Sequence, residues 1–353
     1  MQKSFQLFLF VSLFSLISCQ ATYEIPGTGA SNPSYETIFL PPVATIPPVE
    51  YPPVDEFRDP ALWPFSSDSP WNTPIGNGAI YQQATDPCTQ SLTFESSGAG
   101  INSEEWSHPV YQASINDPLT PLYLNGVERI RINIPAMAKS ALPYNTDSHL
   151  HIIDPTGNYV VEMYRALPRA SGGWDVDYYV KLDLRSSGIL AGGARAYGGS
   201  AIAGLIRKGE LGTGIRHALA IAQPWTHLWP GGPVWPANKD DGDIKNKYTG
   251  NYPMGQLAAI PPNINLEELT PPLSPEGLAL GRAMQDFGVY NVDAAGASVV
   301  YAEPAAADEL GHARNDIPRL WALLRCVTNN SPTSVGGGGT IRRAPPAPDF
   351  IAK

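Results

Sequence analysis

The chain has 353 residues, of which 43% are hydrophobic and 16% charged, with 36 prolines and 33 glycines, a composition that buries one large core between many turns. Its net charge of −10 and lack of a dense Lys/Arg cluster argue against polyphosphate ligands and nucleic acid, since binding the latter needs a basic stripe to release counterions. Mild acidity is compatible with a neutral or weakly charged polymer.

In chain order, the first element is an apolar run from Phe5 to Ile17 behind Lys3. It is too short to span a bilayer as a mature helix and has the form of a secretory signal peptide, residues 1–18. The run ends in Leu16-Ile17-Ser18-Cys19, which resembles the bacterial lipobox, so Cys19 is the expected lipidation site. Gln20 in place of Asp implies the outer membrane. Residues 19–62 contain repeated Pro-Pro pairs, which disfavour helix and central strand and predict a tether. The folded body is expected at residues 63–328, and a Gly/Pro-rich tail at 329–353. With Cys19 lipidated, Cys88 and Cys326 remain as a pair that an oxidising compartment allows to bridge, geometry permitting.

Within the body, short alternating runs such as "TPLYLNGVERIRINIP", "HLHIIDPTGNYVVEMYRA", "DYYVKLDL", "RHALAIAQP" and "GVYNVDAAGASVVYAE" sit between turn signals and read as strands. Two stretches read as helices: "SPEGLALGRAMQDFG", with Ser274 as N-cap and Pro275 at the first helical position, and "DIPRLWALLRCV". The expected fold class is mainly β, a large antiparallel β-sandwich or jelly roll with few helices.

The hairpin at residues 148–166 concentrates the chemistry. Alternation puts His149 and His151 on one face and Leu150 and Ile152 on the other; Glu162 and Tyr164 match the histidines on the returning strand. A two-residue Thr156-Gly157 turn gives paired positions summing to 313, which sets His151 opposite Glu162 and His149 opposite Tyr164. A type I turn with a bulged glycine shifts the register by one and disperses the group. A carboxylate beside an imidazole tunes proton affinity for acid–base work, and Tyr164 adds a phenol. Two histidines at i and i+2 with a glutamate also match first-row metal ligands, although the expectation is a site without metal. The plain alternative is a polar, solvent-facing side of a half-exposed sheet.

Further along, Arg216, His217, Trp225, His227, Trp229 and Trp235 fall within about twenty residues. Trp174, Trp229 and Trp235 are candidates for stacking on sugar rings, with Arg216 and His217 as polar partners. A second carboxylate for glycoside hydrolysis has candidates at Asp175, Asp240, Asp241 and Asp293, with a turn role favoured at Asp293. Asp240, Asp241 and Asp243 form a solvated loop or a weak calcium site. No other cofactor is expected. "GGARAYGGSAIAGL" reads as a turn-rich loop at a cleft rim.

The stretch from "SDSPWNTPIG" through "HLHIIDPTGNYVVEMY", "AGLIRKGELGTGIRHALAIA", "VWPA" and "YPMGQLAAI" to "LALGRAMQDFGVYNVDAAGA" resembles a widespread family of secreted bacterial proteins, largely labelled hypothetical. The resemblance covers most of residues 66–303 and implies an extracytoplasmic location and a single unit. It draws attention to His151, Glu162, Arg216, His217, Trp235, Pro236, Met254, Gly255 and Asp293 without assigning roles.

The leading expectation is a surface-anchored enzyme that cleaves an extracellular polysaccharide, by hydrolysis, with Glu162 as acid or base and His151 sharing its proton. Lyase action on a uronic-acid polymer, with Arg216 neutralising the substrate carboxylate, and a non-catalytic glycan-binding lipoprotein are the alternatives. A structural envelope protein is a further one. The expected partners are the polysaccharide and, through the lipid anchor alone, the membrane.

Overall fold

The computed structural model describes Tyr51 and residues 55–190, 192–242 and 244–350. The signal peptide, Cys19 and the tether up to residue 50 lie outside the described residues, as does Asp243. Among the described residues no helix is long and apolar enough to cross a membrane.

The fold is mainly β with few helices, in several sheets and without a closed barrel among the described residues. A six-stranded sheet runs in the order Arg325–Cys326, Leu257–Ala259, Val289–Ala295, Leu219–Pro224, Val299–Tyr301, Gly100–Asn102. A four-stranded sheet has the order Tyr178–Asp183, Tyr159–Tyr164, Leu150–Ile153, Val110–Gln112. A second four-stranded sheet joins Val127–Asn133, Leu119–Leu124, Trp174–Val176 and Leu167–Pro168. The purely antiparallel arrangement is corrected: each sheet contains a parallel ladder, as where Val110 pairs with His151 and Leu219 with Val289. The cause is that strands distant in sequence, joined by long crossings, lie side by side.

The hairpin keeps the register that sums to 313: Leu150 faces Met163, His151 faces Glu162 and Ile152 faces Val161. The turn is nevertheless larger than two residues. Asp154 and Tyr159 close a four-residue loop through a 2.8 Å bond, and the Gly157 N–H donates to the Asp154 carbonyl. Asp154 Oδ1 also accepts from Thr156 Oγ1 and from the amides of Asn158 and Tyr159, so one side chain holds the loop open. Leu150, Ile152, Val161 and Met163 then pack with Leu122 and Val176 in a small core of their own. On the other face, Ile153 and Val160 join the main core, and between these lies the polar end of the sheet.

The body extends beyond residues 63–328 at both ends. Phe57–Arg58 pairs with Asp349–Phe350, and the buried Arg58 donates to the carbonyls of Trp63, Pro64, Phe65 and Pro348. The Gly336–Gly339 run, read from composition as tail, has positive φ throughout and packs on the chain at Gly76 and Gly78, whose amides donate to Gly336 and Gly338. A Cβ at Gly76 collides with the Gly338 carbonyl, so glycine here serves close backbone approach.

The helix Pro275–Asp286 starts where expected, with Ser274 Oγ accepting from the Gly277 amide at 2.9 Å. The second helix, Ala313–Leu323, begins three residues earlier than the motif implied and carries Pro318 inside it; its Asp316 accepts from both the amide and hydroxyl of Ser274, tying the two helices together.

Cys88 and Cys326 form a disulfide across 238 residues, which ties the helix Pro87–Thr93 to the edge of the six-stranded sheet. Closing so long a loop limits the unfolded chain by roughly 5 kcal/mol in the chain-entropy treatment. Urea unfolding with and without reductant should therefore show a large drop in midpoint on reduction; equal midpoints would exclude a stabilising role.

Candidate functional site

The site begins with the buried polar end of the four-stranded sheet. His151 and Glu162 have no exposed surface and His149 almost none, so the solvent-facing alternative does not hold. The reason is a cover: the glycine-rich segment 192–202 lies over this face. Its Tyr197 amide donates to the Val292 carbonyl of the six-stranded sheet at 3.0 Å, and four of its donors go to Glu162.

Glu162 is fully committed to that cover. Its Oε1 accepts from Ser200 Oγ at 2.5 Å and from the amides of Ala201 at 2.8 Å and Ile202 at 3.3 Å; Oε2 accepts from the Ala194 amide at 3.3 Å. Burial raises its pKa while these four donors pull it back. The carboxylate expected to act as acid or base thus fastens a loop.

The same cover folds on itself through a 2.7 Å bond from the Gly193 amide to the Gly198 carbonyl, and the Gly198 amide donates to the Arg195 carbonyl at 2.9 Å. Arg195, at this turn, is buried. Its Nε lies 3.0 Å from Asp293 Oδ2 and its guanidinium stacks over the Tyr301 ring at 3.8 Å. Asp293 and Tyr301 belong to the six-stranded sheet. Burial pushes the Asp293 carboxyl up to about 7 against the pull of Arg195, with Asp241 and Asp147 adding to the rise. Asp147, half-buried, is also raised by burial and opposed by Arg195 and Arg165.

A third histidine completes the group. His108 enters from the segment before Val110–Gln112, where the Pro109 carbonyl accepts the His151 amide and Ser107 Oγ donates to the Ala302 carbonyl, so this segment bridges the two sheets. His108 Nδ1 lies 2.9 Å from His151 Nε2. The His108 and His149 rings are 4.3 Å apart, and His149 rests 5.4 Å from the Tyr164 ring. One ring nitrogen from each of the three histidines lies within 4.8 Å of the others. Burial, reinforced by Arg195, holds all three imidazoles below the ordinary range, His149 at about 3. They are neutral at physiological pH and ligand-ready.

Backbone strain gathers around the group. Among the described residues, seven other than glycine have positive φ, and Trp106, Asn145, Ser148 and Arg165 flank His108, His149 and Tyr164. The Arg165 and Ala166 amides donate to the carbonyls of Asp147 and Ser148, which holds the two ends of the hairpin together in this conformation.

His149, His151, Glu162 and Tyr164 therefore share a face, and Asp293 joins them through Arg195. The other candidates lie elsewhere. His217 lines a small cavity with Trp63, Trp71 and Arg207 and binds Glu210 at 3.0 Å. Arg216 lies over the Tyr51 ring. Trp174 packs half-buried against the small core, Asp175 pairs with Arg169, and Trp235 is half-buried. Trp229 is exposed, and a separate cleft of about 210 Å³ is lined by Phe94, Thr226, His227 and Asn251. Asp240 and Asp241 are half-buried, Asp241 accepts the amide of Lys245 through its carbonyl, and the calcium reading rests also on Asp243, outside the described residues. His108, Arg195 and Asp147 escaped sequence reasoning: His108 stands alone in "SHP" and Arg195 in a glycine-rich stretch, so neither carries a periodic signal.

Comparison with protein-family models, with curated proteins and with solved structures finds no match.

Two predictions test these assignments. Glu162→Gln sets an amide N–H against backbone donors and should destabilise the protein by about 2–4 kcal/mol in urea unfolding; an unchanged midpoint would refute the fastening role. For His217, burial lowers the pKa but the charge and hydrogen bond of Glu210 and the Ala218 carbonyl outweigh it, so it is raised above 6.5. Its contribution to stability is full below 6.5 and is lost as pH rises through the higher folded-state value. The stability gap between wild type and Glu210→Gln should shrink over that rise, and a gap that widens with pH would reverse the assignment.

Proposed function

We propose that the protein is an extracytoplasmic, lipid-anchored enzyme that hydrolyses glycosidic bonds of an extracellular polysaccharide. In this reading its four- and six-stranded sheets work as a sandwich with the site at one end. The observation that carries it is the Arg195–Asp293 pair set beside neutral imidazoles and Tyr164, with Asp293 still partly exposed. A carboxyl pushed up to about 7 by burial is protonated often enough near neutrality to serve as a general acid. Asp147, which also feels Arg195's charge, is assigned as the second carboxylate that glycoside hydrolysis asks for. Glu162, consumed by the loop, leaves the chemistry to these two. The Cys88–Cys326 disulfide supports an oxidising compartment, in keeping with the signal peptide and lipobox.

Elimination from a uronate asks for a cation to neutralise the substrate carboxylate; Arg216, expected in that role, lies over the Tyr51 ring, and Arg195 already holds Asp293. Hydrolysis is favoured for that reason. A glycan-binding reading draws on a different observation: an exposed Phe94 lines the cleft at His227, and Trp225 and Trp229, close to His227 in sequence, are exposed; exposed aromatic faces stack on sugars. Within the hydrolase the same cleft serves to hold the polymer.

The test is depolymerisation of a polysaccharide panel by the mature chain, read as reducing ends and as the ultraviolet absorbance of unsaturated products. Asp293→Asn should lower kcat at least about 100-fold, while folded Glu162→Gln keeps it within a few-fold. Unsaturated products would replace hydrolysis by elimination; sugar binding without new ends would make the protein a receptor.

A further inference from the structure

We propose that His108, His149 and His151 form a binding site for one divalent first-row transition ion. This deepens the hydrolase reading and rests on it only for the use made of the ion.

Three imidazoles from two separate segments converge until one nitrogen of each lies within 4.8 Å of the others, and two of these nitrogens are 2.9 Å apart. That spacing is close to the distance between neighbouring ligands around a single ion bonded at about 2.0–2.1 Å. A hydrogen bond between His108 and His151 accounts for only one contact. His151 Nδ1 is buried and without a hydrogen-bond partner, and burying such a group unpaired is costly.

The His108 and His151 rings lie nearly parallel, 17° apart. Among the described residues no carboxylate bonds to any of them: Glu162, paired with His151 across the ladder, turns to Ser200 and the loop amides, and Asp293 turns to Arg195.

The donor set specifies the ion. Three neutral imidazoles suit zinc, copper, nickel or iron rather than calcium or magnesium, which prefer oxygen. Arg195 repels a cation, and its pairing with Asp293 offsets that repulsion. A three-histidine set also leaves a coordination position for water or a substrate oxygen, which faces the question of hydrolysis directly.

The experiment is titration of the chelator-treated mature chain with Co²⁺ and with Cu²⁺ alone. One equivalent should bind, Co²⁺ giving a visible ligand-field spectrum and Cu²⁺ an electron paramagnetic resonance signal split by nitrogen. His108→Ala and His149→Ala should weaken binding at least about 100-fold, more than loss of an outer-shell partner costs, while Tyr164→Phe keeps it. If the histidine variants fail to fold, the nitrogen splitting in the native chain decides. Absence of stoichiometric binding, or a copper signal without nitrogen splitting, would overturn the site. Depolymerisation by metal-free chain that binds no ion would overturn it and leave the hydrolase standing; ion binding without depolymerisation would support it and remove the hydrolase.

Discussion

The arrangement depends on the burial of one carboxylate. Glu162 sits in the middle of a strand with no exposed surface, where an ionised group unmatched by donors is untenable. The chain meets that demand by bringing four donors from residues 194–202 onto it. Because the donors are mostly backbone amides, the segment must approach the sheet closely, which is what its glycines permit: a Cβ at Gly193 meets the Gly199 carbonyl, and one at Gly199 meets the Tyr197 ring. The fastening of this loop is what carries Arg195 into the interior.

Arg195 in turn organises the charges. Its charge acts on three neutral imidazoles and two carboxyls: it disfavours imidazolium at His108, His149 and His151 and favours carboxylate at Asp147 and Asp293. Burial works against it on the acids and with it on the histidines. The result separates proton affinities, with Asp293 near neutrality and the imidazoles well below it, a division that acid–base chemistry exploits.

How much of this was legible depends on whether the signal was local. The period-two alternation in "HLHIIDPTGNYVVEMY" fixed the two faces and, through the turn, the pairing of His151 with Glu162, because a one-residue slip would have sent Leu150 and Met163 to the wrong side. The four-residue loop preserves the same odd sum, so the inferred register survived a wrong turn type. What alternation cannot reveal is the cover. A polar face reads the same whether solvent or a loop lies over it, and the donors to Glu162 are 32 to 40 residues away. His108 is 43 residues from His151 and joins through a parallel pairing that no hairpin signal announces. The glycine-rich tail failed for a related reason: composition reports the freedom of an isolated backbone, whereas Gly336–Gly339 use that freedom to fit against Gly76 and Gly78.

The polar group is also expensive for the fold. Three histidines, an arginine and their carboxylates occupy a junction between two sheets that aliphatic side chains would fill without unpaired nitrogens, and buried ion pairs are often no more stable than the hydrophobic residues that could replace them. The surrounding strand ends adopt positive φ at Ser148 and Arg165, conformations that non-glycine residues seldom take. Elsewhere the same two sheets do use Ile153, Val160, Leu219 and Val300, so the fold has an apolar solution available and departs from it here. Local rules broken together at one place, with positive φ at Ser148 and Arg165 beside the unpaired Nδ1 of His151, follow the pattern by which functional sites depart from a fold's local rules. That concentration separates the histidine group from His217, which is also buried but has both ring nitrogens bonded, to Glu210 and to the Ala218 carbonyl, and needs no role beyond structure.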